Sequence, residues 1–212
     1  MSPEAEALRA ALERARIAGF LGPGPIEAHL GHSAGFAEAA EAVLGREPET
    51  FADLGTGGGI PGLVLALRWT ESRGILLDSS RRRCAALREA ILQLGIEDRI
   101  EVLEQRAEDA GRSEEFRERF EVVTARSFAE PAVTAEIAAG LVKVGGILVV
   151  SEPPDPASAG GRWPADELAG LGFAAAEQVE RAEAHFAVVR KRAAAPARYP
   201  RPVGRPAKRT LW

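Results

Sequence analysis

Residues 51–62, Phe-Ala-Asp-Leu-Gly-Thr-Gly-Gly-Gly-Ile-Pro-Gly, constrain this chain more than any other stretch. Phe51-Ala-Asp-Leu54 has the short apolar run of a buried strand. Pro61 suits the first turn of a helix, where a missing N–H is no loss. A chain passing from one to the other needs positive φ values and close backbone approach to a ligand, both of which glycine accepts without a Cβ penalty. The first amides of the following helix have no intrahelical acceptor and are free to donate to an anionic or polar group. Sheets built from such units bind ligands in the crevice outside the strand C-termini.

The rest of the chain repeats this rhythm. Strands are predicted at residues 50–54, 74–77, 100–103, 121–125 and 146–151. Helices are predicted between them at 61–69, 81–94, near 113–119 and at 131–141. This alternation predicts a parallel sheet covered on both faces, with right-handed crossovers. Residues 152–161 are rich in proline and glycine and read as a loop. A short helix at 164–171 follows, then strand-like runs at 173–180 and 184–191 that read as an antiparallel hairpin. Upstream, residues 3–18 form an Ala/Glu/Arg/Leu-rich helical stretch. Gly22-Pro-Gly-Pro25 breaks it before a second helix, which starts at Pro25 and runs to about Val43. The expected fold is therefore α/β and Rossmann-like, a mostly parallel sheet ending in a hairpin. Its expected organisation is a helical cap over residues 1–47, an α/β domain over 48–192 and a tail over 193–212. Four prolines make that tail extended rather than helical.

Composition narrows the setting. With 46% hydrophobic and 27% charged residues, the chain has the make-up of a soluble globular protein. No apolar run approaches the roughly 20 residues that span a bilayer, and the acidic Met1-Ser-Pro-Glu start lacks a signal-peptide pattern. Cys84 is the single cysteine, which excludes an internal disulfide and a multi-cysteine zinc site. His29 and His32 can share a helix face but lack a third ligand, so no metal is expected. A cytoplasmic monomer fits these features. The formal charge of −4 conceals an asymmetry: residues 190–212 hold eight of the 27 basic side chains and none of the 31 acidic ones. An acidic body with a basic tail points to a polyanionic partner. The tail also carries Tyr199 and Trp212, rings that suit stacking on RNA bases, and it is expected to anchor RNA without contributing to the cofactor site.

Asp53 directly precedes the first glycine, and Asp78 ends the second predicted strand. A carboxylate at Asp78 is placed to accept both hydroxyls of a ribose laid across the strand tips. Gly57-Gly-Gly59-Ile-Pro-Gly62 also satisfies the dinucleotide pattern Gly-x-Gly-x-x-Gly, which keeps NAD open. Two features favour S-adenosylmethionine. Asp53 offers a carboxylate for the cofactor's methionine amino group, where a diphosphate gains nothing, and the sheet ends in a hairpin instead of a sixth parallel strand.

Four stretches together resemble the bacterial glucose-inhibited-division-B type methyltransferases, which modify guanine N7 of 16S ribosomal RNA. They are Asp53-Leu-Gly-Thr-Gly-Gly-Gly-Ile-Pro-Gly62, Leu76-Leu-Asp-Ser-Ser-Arg-Arg-Arg83, Arg106-Ala-Glu-Asp109 and Val122-Val-Thr-Ala-Arg-Ser-Phe-Ala129. The tail from Tyr199 to Leu211 is similar as well. The resemblance implies a class I S-adenosylmethionine-dependent methyltransferase fold and a small-subunit ribosomal RNA partner. It implies cofactor contacts from Gly55, Gly57, Ile60 and Ser79, with Ala107 and Glu108 beside the adenine and Arg126 between cofactor and substrate. His29 and Ser33 keep two residues of the family's Arg-His-x-x-Asp-Ser element, which makes His29 a catalytic candidate beside Arg126. After the fifth strand the family has lysine then glycine, where this chain has Ser151-Glu152. Plainer roles stand beside these: a core position for Ile60 and Cys84, a solvated helix cap for Glu108, and a structural salt bridge for Arg126. Methylation of another RNA or a small molecule, and RNA binding without catalysis, are the alternative functions.

Overall fold

The structure, a computed structural model, describes residues 2–153 and 161–212. Among these, seven strands form one sheet: β1 (Thr50–Leu54), β2 (Arg73–Asp78), β3 (Ile100–Glu104), β4 (Phe120–Ala125), β5 (Val142–Glu152), β6 (Glu177–Arg181) and β7 (Ala184–Arg190). Their spatial order is β3-β2-β1-β4-β5-β7-β6. The first five pair in parallel, and β7 joins antiparallel to β5 and β6. Strand order reverses between β1 and β4, so the two chains leave their C-termini in opposite directions and open a crevice there.

Side chains alternate across the sheet and divide the core in two. Phe51, Leu76, Val122 and Val149 pack on one face, with helices α1 (Pro3–Ile17), α2 (Ile26–Leu44), α3 (Gly62–Arg68) and α4 (Arg81–Leu94). Ala52, Leu54, Leu77, Val123 and Leu148 pack on the other, with α5 (Ala107–Arg112), α6 (Pro131–Ala139) and α7 (Ala165–Gly170). The N-terminal helices are thus part of the first core: Leu8, Leu12 and Phe36 are buried in it. Local chemistry sets their ends. Ser2 accepts the Ala5 N–H and Pro3 occupies the first turn of α1, while Gly45 and Gly95 end α2 and α4 in the left-handed conformation. No helix among the described residues is long and apolar enough to cross a membrane.

Three expectations need correction. The helix anticipated near residues 113–119 lies earlier, as α5. A glycine inside six residues argues against a helix on propensity, but a Cβ at Gly111 would approach Pro200 Cγ to 2.9 Å, so tertiary packing decides. The first hairpin strand starts at Glu177, since Phe173 makes only an isolated bridge to Lys191. The tail is not simply extended: Arg205–Lys208 form one helical turn, α8, begun by Gly204 in the left-handed conformation. Of the predicted loop at 152–161, residues 154–160 lie outside the described residues; β5 itself continues through Glu152.

At the opposite end of the sheet from the crevice, Glu121 ties β4 to the α2–β1 connection. Its carboxylate takes a forked pair of bonds from Arg46 at 2.9 and 3.0 Å, the Glu49 N–H at 2.6 Å and Lys143 Nζ at 2.9 Å. Burial alone would raise its pKa, but the bonds from Arg46, Lys143 and Glu49 prevail and hold it down at about 2. A depressed carboxylate stabilises the fold above its unfolded value of 4.5, and that contribution is lost as pH falls toward 2. Glu121→Gln should therefore lose roughly 1.5–3 kcal/mol at neutral pH in urea denaturation. The difference from wild type should shrink between pH 4.5 and 2; a gap that stayed constant would show that ionisation is not its source.

Candidate active site

The turn after β1 is held from below. Asp53, fully buried, accepts the Gly62 N–H on Oδ2 at 3.0 Å and the Thr124 hydroxyl on Oδ1 at 2.8 Å. One carboxylate thus joins β1, the start of α3 and β4. Burial pushes its pKa up to about 6, against the pull of the Thr56 and Thr124 hydroxyls, the Gly62 amide and the Arg126 charge. Gly62 must lack a side chain, because a Cβ there would stand 2.4 Å from Leu76 Cδ2 and 2.8 Å from Asp53 Oδ2. The expectation that Asp53 faces a ligand does not match this arrangement. Its oxygens point inward, and it braces the turn.

Asp78 holds the turn from the side. Its Oδ2 accepts the Gly57 N–H at 3.1 Å and its Oδ1 the Ser80 N–H at 2.8 Å, with Arg83 Nη1 at 3.5 Å. The Cys84 thiol donates to the Asp78 carbonyl at 3.2 Å, and burial raises its pKa, so Cys84 is a core residue and not an activated thiol.

Three cavities run along the strand tips. The first, about 340 Å³, is lined by Gly55, Asp78, Ser79, Ala107, Glu108 and Phe128, among others. The second, about 220 Å³, lies between the Phe20–Gly22 segment and the turn, against Gly55, Gly57, Ile60 and Arg126. The third, about 370 Å³, is bounded by His32, Arg126, Phe128, Glu152, Arg162 and Trp163. Ser127 borders all three and has φ 49°, a left-handed conformation uncommon for a residue with a side chain. Gly55 separates the first two at φ 63°, and a Cβ there would meet Phe128 at 2.6 Å. In the second cavity, Thr56 is buried, with its hydroxyl beside the Asp53 carboxylate.

Arg126 forms the wall between the second and third cavities. It donates to His29 Nδ1 at 2.8 Å, and His29 Nε2 lies 3.2 Å from the Gly22 carbonyl. A guanidinium only donates and a carbonyl only accepts, so His29 is the neutral Nε2–H tautomer. Burial first, then the Arg126 charge, lower its pKa accordingly. His29, expected as a catalytic candidate, lines none of the three cavities and meets the site through its contact with Arg126. Burial lowers the Arg126 pKa, opposed by the Asp53 charge. His32 faces the third cavity with its pKa lowered to about 4 by burial, then by Arg126 and His29.

Glu108 is 3% exposed and is no solvated cap. It accepts the Gly204 N–H at 3.0 Å and Arg106 Nη2 at 3.3 Å. Burial would raise its pKa, yet these bonds and its own backbone amide hold it below the ordinary carboxylate value. Glu152 takes Arg162 Nε at 2.8 Å and Trp163 Nε1 at 3.0 Å, so the carboxylate at the end of β5 is neutralised within the wall. The sequence reading missed Phe20–Gly22, Ser127, Phe128 and Ala207 as lining residues. Ser127 and Phe128 stood within a quoted stretch, but nothing local signals the left-handed turn that turns them inward.

Comparison with known proteins bears on this geometry. The family described as "GidB: rRNA small subunit methyltransferase G" matches residues 26–156. The chain belongs to this family. Among curated relatives, the "Ribosomal RNA small subunit methyltransferase G" of Synechococcus elongatus is 35% identical over 172 residues, covering 75% of this chain and 67% of that protein. The protein of that name from Exiguobacterium sp. is 35% identical over 170 residues, covering 77% and 70%. Among solved structures, the O-methyltransferase from Bacillus cereus in complex with SAH matches with TM-score 0.59 and 15% identity, covering 87% of this chain and 89% of that one. Cofactor-bound Rv0187 from MTB matches with TM-score 0.62 and 20% identity over 88% and 90%. At such identities the likeness is one of fold, and it places this GidB-family chain in the Rossmann-like class I methyltransferase fold.

The bracing role of Asp53 can be measured directly. Asp53→Ala leaves the Gly62 N–H without an acceptor and should cost about 1–3 kcal/mol in chemical denaturation. Asp53→Asn keeps an acceptor and removes a buried charge. A raised carboxylate pKa means that its stabilising contribution is complete below the unfolded 3.8 and lost as pH rises through about 6. The Asn variant should therefore be most stable relative to wild type above pH 6. Equal losses for Ala and Asn at pH 5 and pH 8 would refute the bracing role.

Proposed function

We propose that the chain transfers a methyl group from S-adenosylmethionine to guanine N7 of small-subunit ribosomal RNA, with the first two cavities holding the cofactor and the third the base. Family membership makes the chain an S-adenosylmethionine-dependent methyltransferase. The ribosomal substrate is the reading that its relatives' names and the acceptor-side geometry favour. Arg126 carries it: a half-buried cation with five donors stands where the cofactor cavities meet the third one, held in place by a neutral histidine.

The residues present fit the cofactor. Asp78, with lone pairs left over from its two turn amides, would take the ribose hydroxyls, and Ser79, Ala107 and Glu108 would border the adenine. Gly55, Gly57 and Ile60 would border the methionine portion, where Gly55 has no Cβ to crowd it. When bound, the cofactor supplies an electrophilic methyl on a sulfonium sulfur. Guanine N7 presents an in-plane lone pair and no proton, so the protein's task is alignment and exclusion of water, not proton removal. Arg126 would donate to guanine O6 or a flanking phosphate, which its planar fork suits. His29 would keep that fork aimed. Glu152 would hold Arg162 and Trp163 in the opposite wall of the base cavity.

Small ribosomal subunits from a strain lacking N7 methylation, incubated with the protein and S-adenosylmethionine, should gain one N7-methylguanosine, detected by nuclease mapping and mass spectrometry. Arg126→Ala should lower kcat/KM about 100-fold, on the scale of losing an electrostatic donor at a reacting centre, while cofactor affinity changes less. His29→Ala should lower kcat through a loosened Arg126, and His29→Gln, which retains a hydrogen-bond acceptor, should restore part of it. A methylated product other than N7-methylguanosine, or none, would contradict the substrate assignment.

A further inference from the structure

The tail was expected to stand apart from the cofactor site, but it lies against it. Gly204 N–H donates to Glu108 Oε1 at 3.0 Å, and Ala207 lines the first cavity. Farther along, Trp212 Nε1 donates to the carbonyl of Arg162, a residue of the third-cavity wall, at 3.0 Å. One short segment therefore meets both the cofactor end and the base end of the crevice. Its root is fastened by charged bonds. Arg201 forks onto Glu136, which is fully buried, and Arg112 and Arg117 donate to the Pro200 and Tyr199 carbonyls at 2.9 and 2.7 Å.

The opposite side of the segment is different. Arg205, Lys208 and Arg209 are exposed, and among the described residues none of their side chains makes an ion pair or hydrogen bond. Arg205, Lys208 and Arg209 are one or two residues from Ala207, which lines the first cavity. Phosphates gathered by the outer side would hold the inner side down on Glu108 and the first cavity.

We infer that residues 204–212 form a clamp through which RNA backbone bound by Arg205, Lys208 and Arg209 tightens retention of the cofactor. The clamp rests on the RNA reading above. Linkage makes the effect reciprocal: cofactor must strengthen RNA binding by the same factor. It also explains a placement that RNA anchoring alone leaves idle, the backbone contact to a buried carboxylate at the far end from the base cavity.

The test is a calorimetric titration of S-adenosylhomocysteine into the full chain, with and without saturating small-subunit ribosomal RNA fragment. Wild type should bind the cofactor product about 5- to 50-fold more tightly with RNA present, within the usual range of coupling between sites. The triple variant R205A/K208A/R209A should match wild type without RNA. It should bind RNA more weakly, with a log–log salt slope flatter by about 2 if three single-strand phosphate contacts are lost. At RNA concentrations that saturate it, it should show little or no tightening. Equal tightening in the triple variant would overturn the clamp, as would RNA binding by wild type without any change in cofactor affinity. Failure of wild type to bind RNA would overturn the RNA reading itself and the clamp with it.

Discussion

Asp53 is a carboxylate with no exposed surface, placed under a backbone turn that has no side chains of its own to hold it. Its bonds to Gly62 and Thr124 join the end of β1, the start of α3 and the neighbouring strand β4 at one point. The glycine turn that lines the first two cavities hangs from that junction. Gly55 and Gly57 take their left-handed conformations above it, Asp78 pins Gly57 from β2, and Arg126 leaves β4 just past Thr124. The burial of the carboxylate has a cost, visible in its raised pKa, and the cost is accepted because apolar substitutes have no acceptor for the Gly62 amide.

Much of the fold was legible because its signals are local. Strand β1 and helix α4 have the bounds that their apolar runs suggest, and the hairpin follows from two strand-like runs around a polar turn, where Ala182 and Glu183 take positive φ. What was not legible depends on distant partners. Helix α5 contains Gly111 because Pro200, far along the chain, needs the space. The inward orientation of Asp53 depends on Thr124, and that of Glu108 on Gly204; neither pairing has a spacing that a sequence pattern can report.

The candidate site divides along the same line. Asp78, Gly55, Gly57, Ile60, Ser79, Ala107, Glu108 and Arg126, all expected at the site, line the first two cavities. His29 and Asp53 line none of these cavities; His29 contacts Arg126, and Asp53 accepts the Gly62 N–H. At the end of β5 the replacement of the family's Lys-Gly by Ser151-Glu152 exchanges a cation for an acid, yet Arg162 and Trp163 take up that acid inside the wall. The basic tail shows most clearly how composition can mislead. Arg205, Lys208 and Arg209 are exposed, but Arg201 pairs with buried Glu136, and the Gly204 backbone meets Glu108 beside the first cavity.

The central claim is that a braced glycine turn and a strand-tip carboxylate make this crevice a site for S-adenosylmethionine. Isothermal titration of S-adenosylmethionine and of NAD into the wild-type chain and into Asp78→Ala, with folding checked by circular dichroism, tests it most directly. The account predicts saturable one-site binding of S-adenosylmethionine, no binding of NAD, and at least about tenfold weaker S-adenosylmethionine binding by the variant, the equivalent of about 1.4 kcal/mol from lost charged hydrogen bonds. Unchanged affinity in Asp78→Ala, or binding of NAD in place of S-adenosylmethionine, would contradict it.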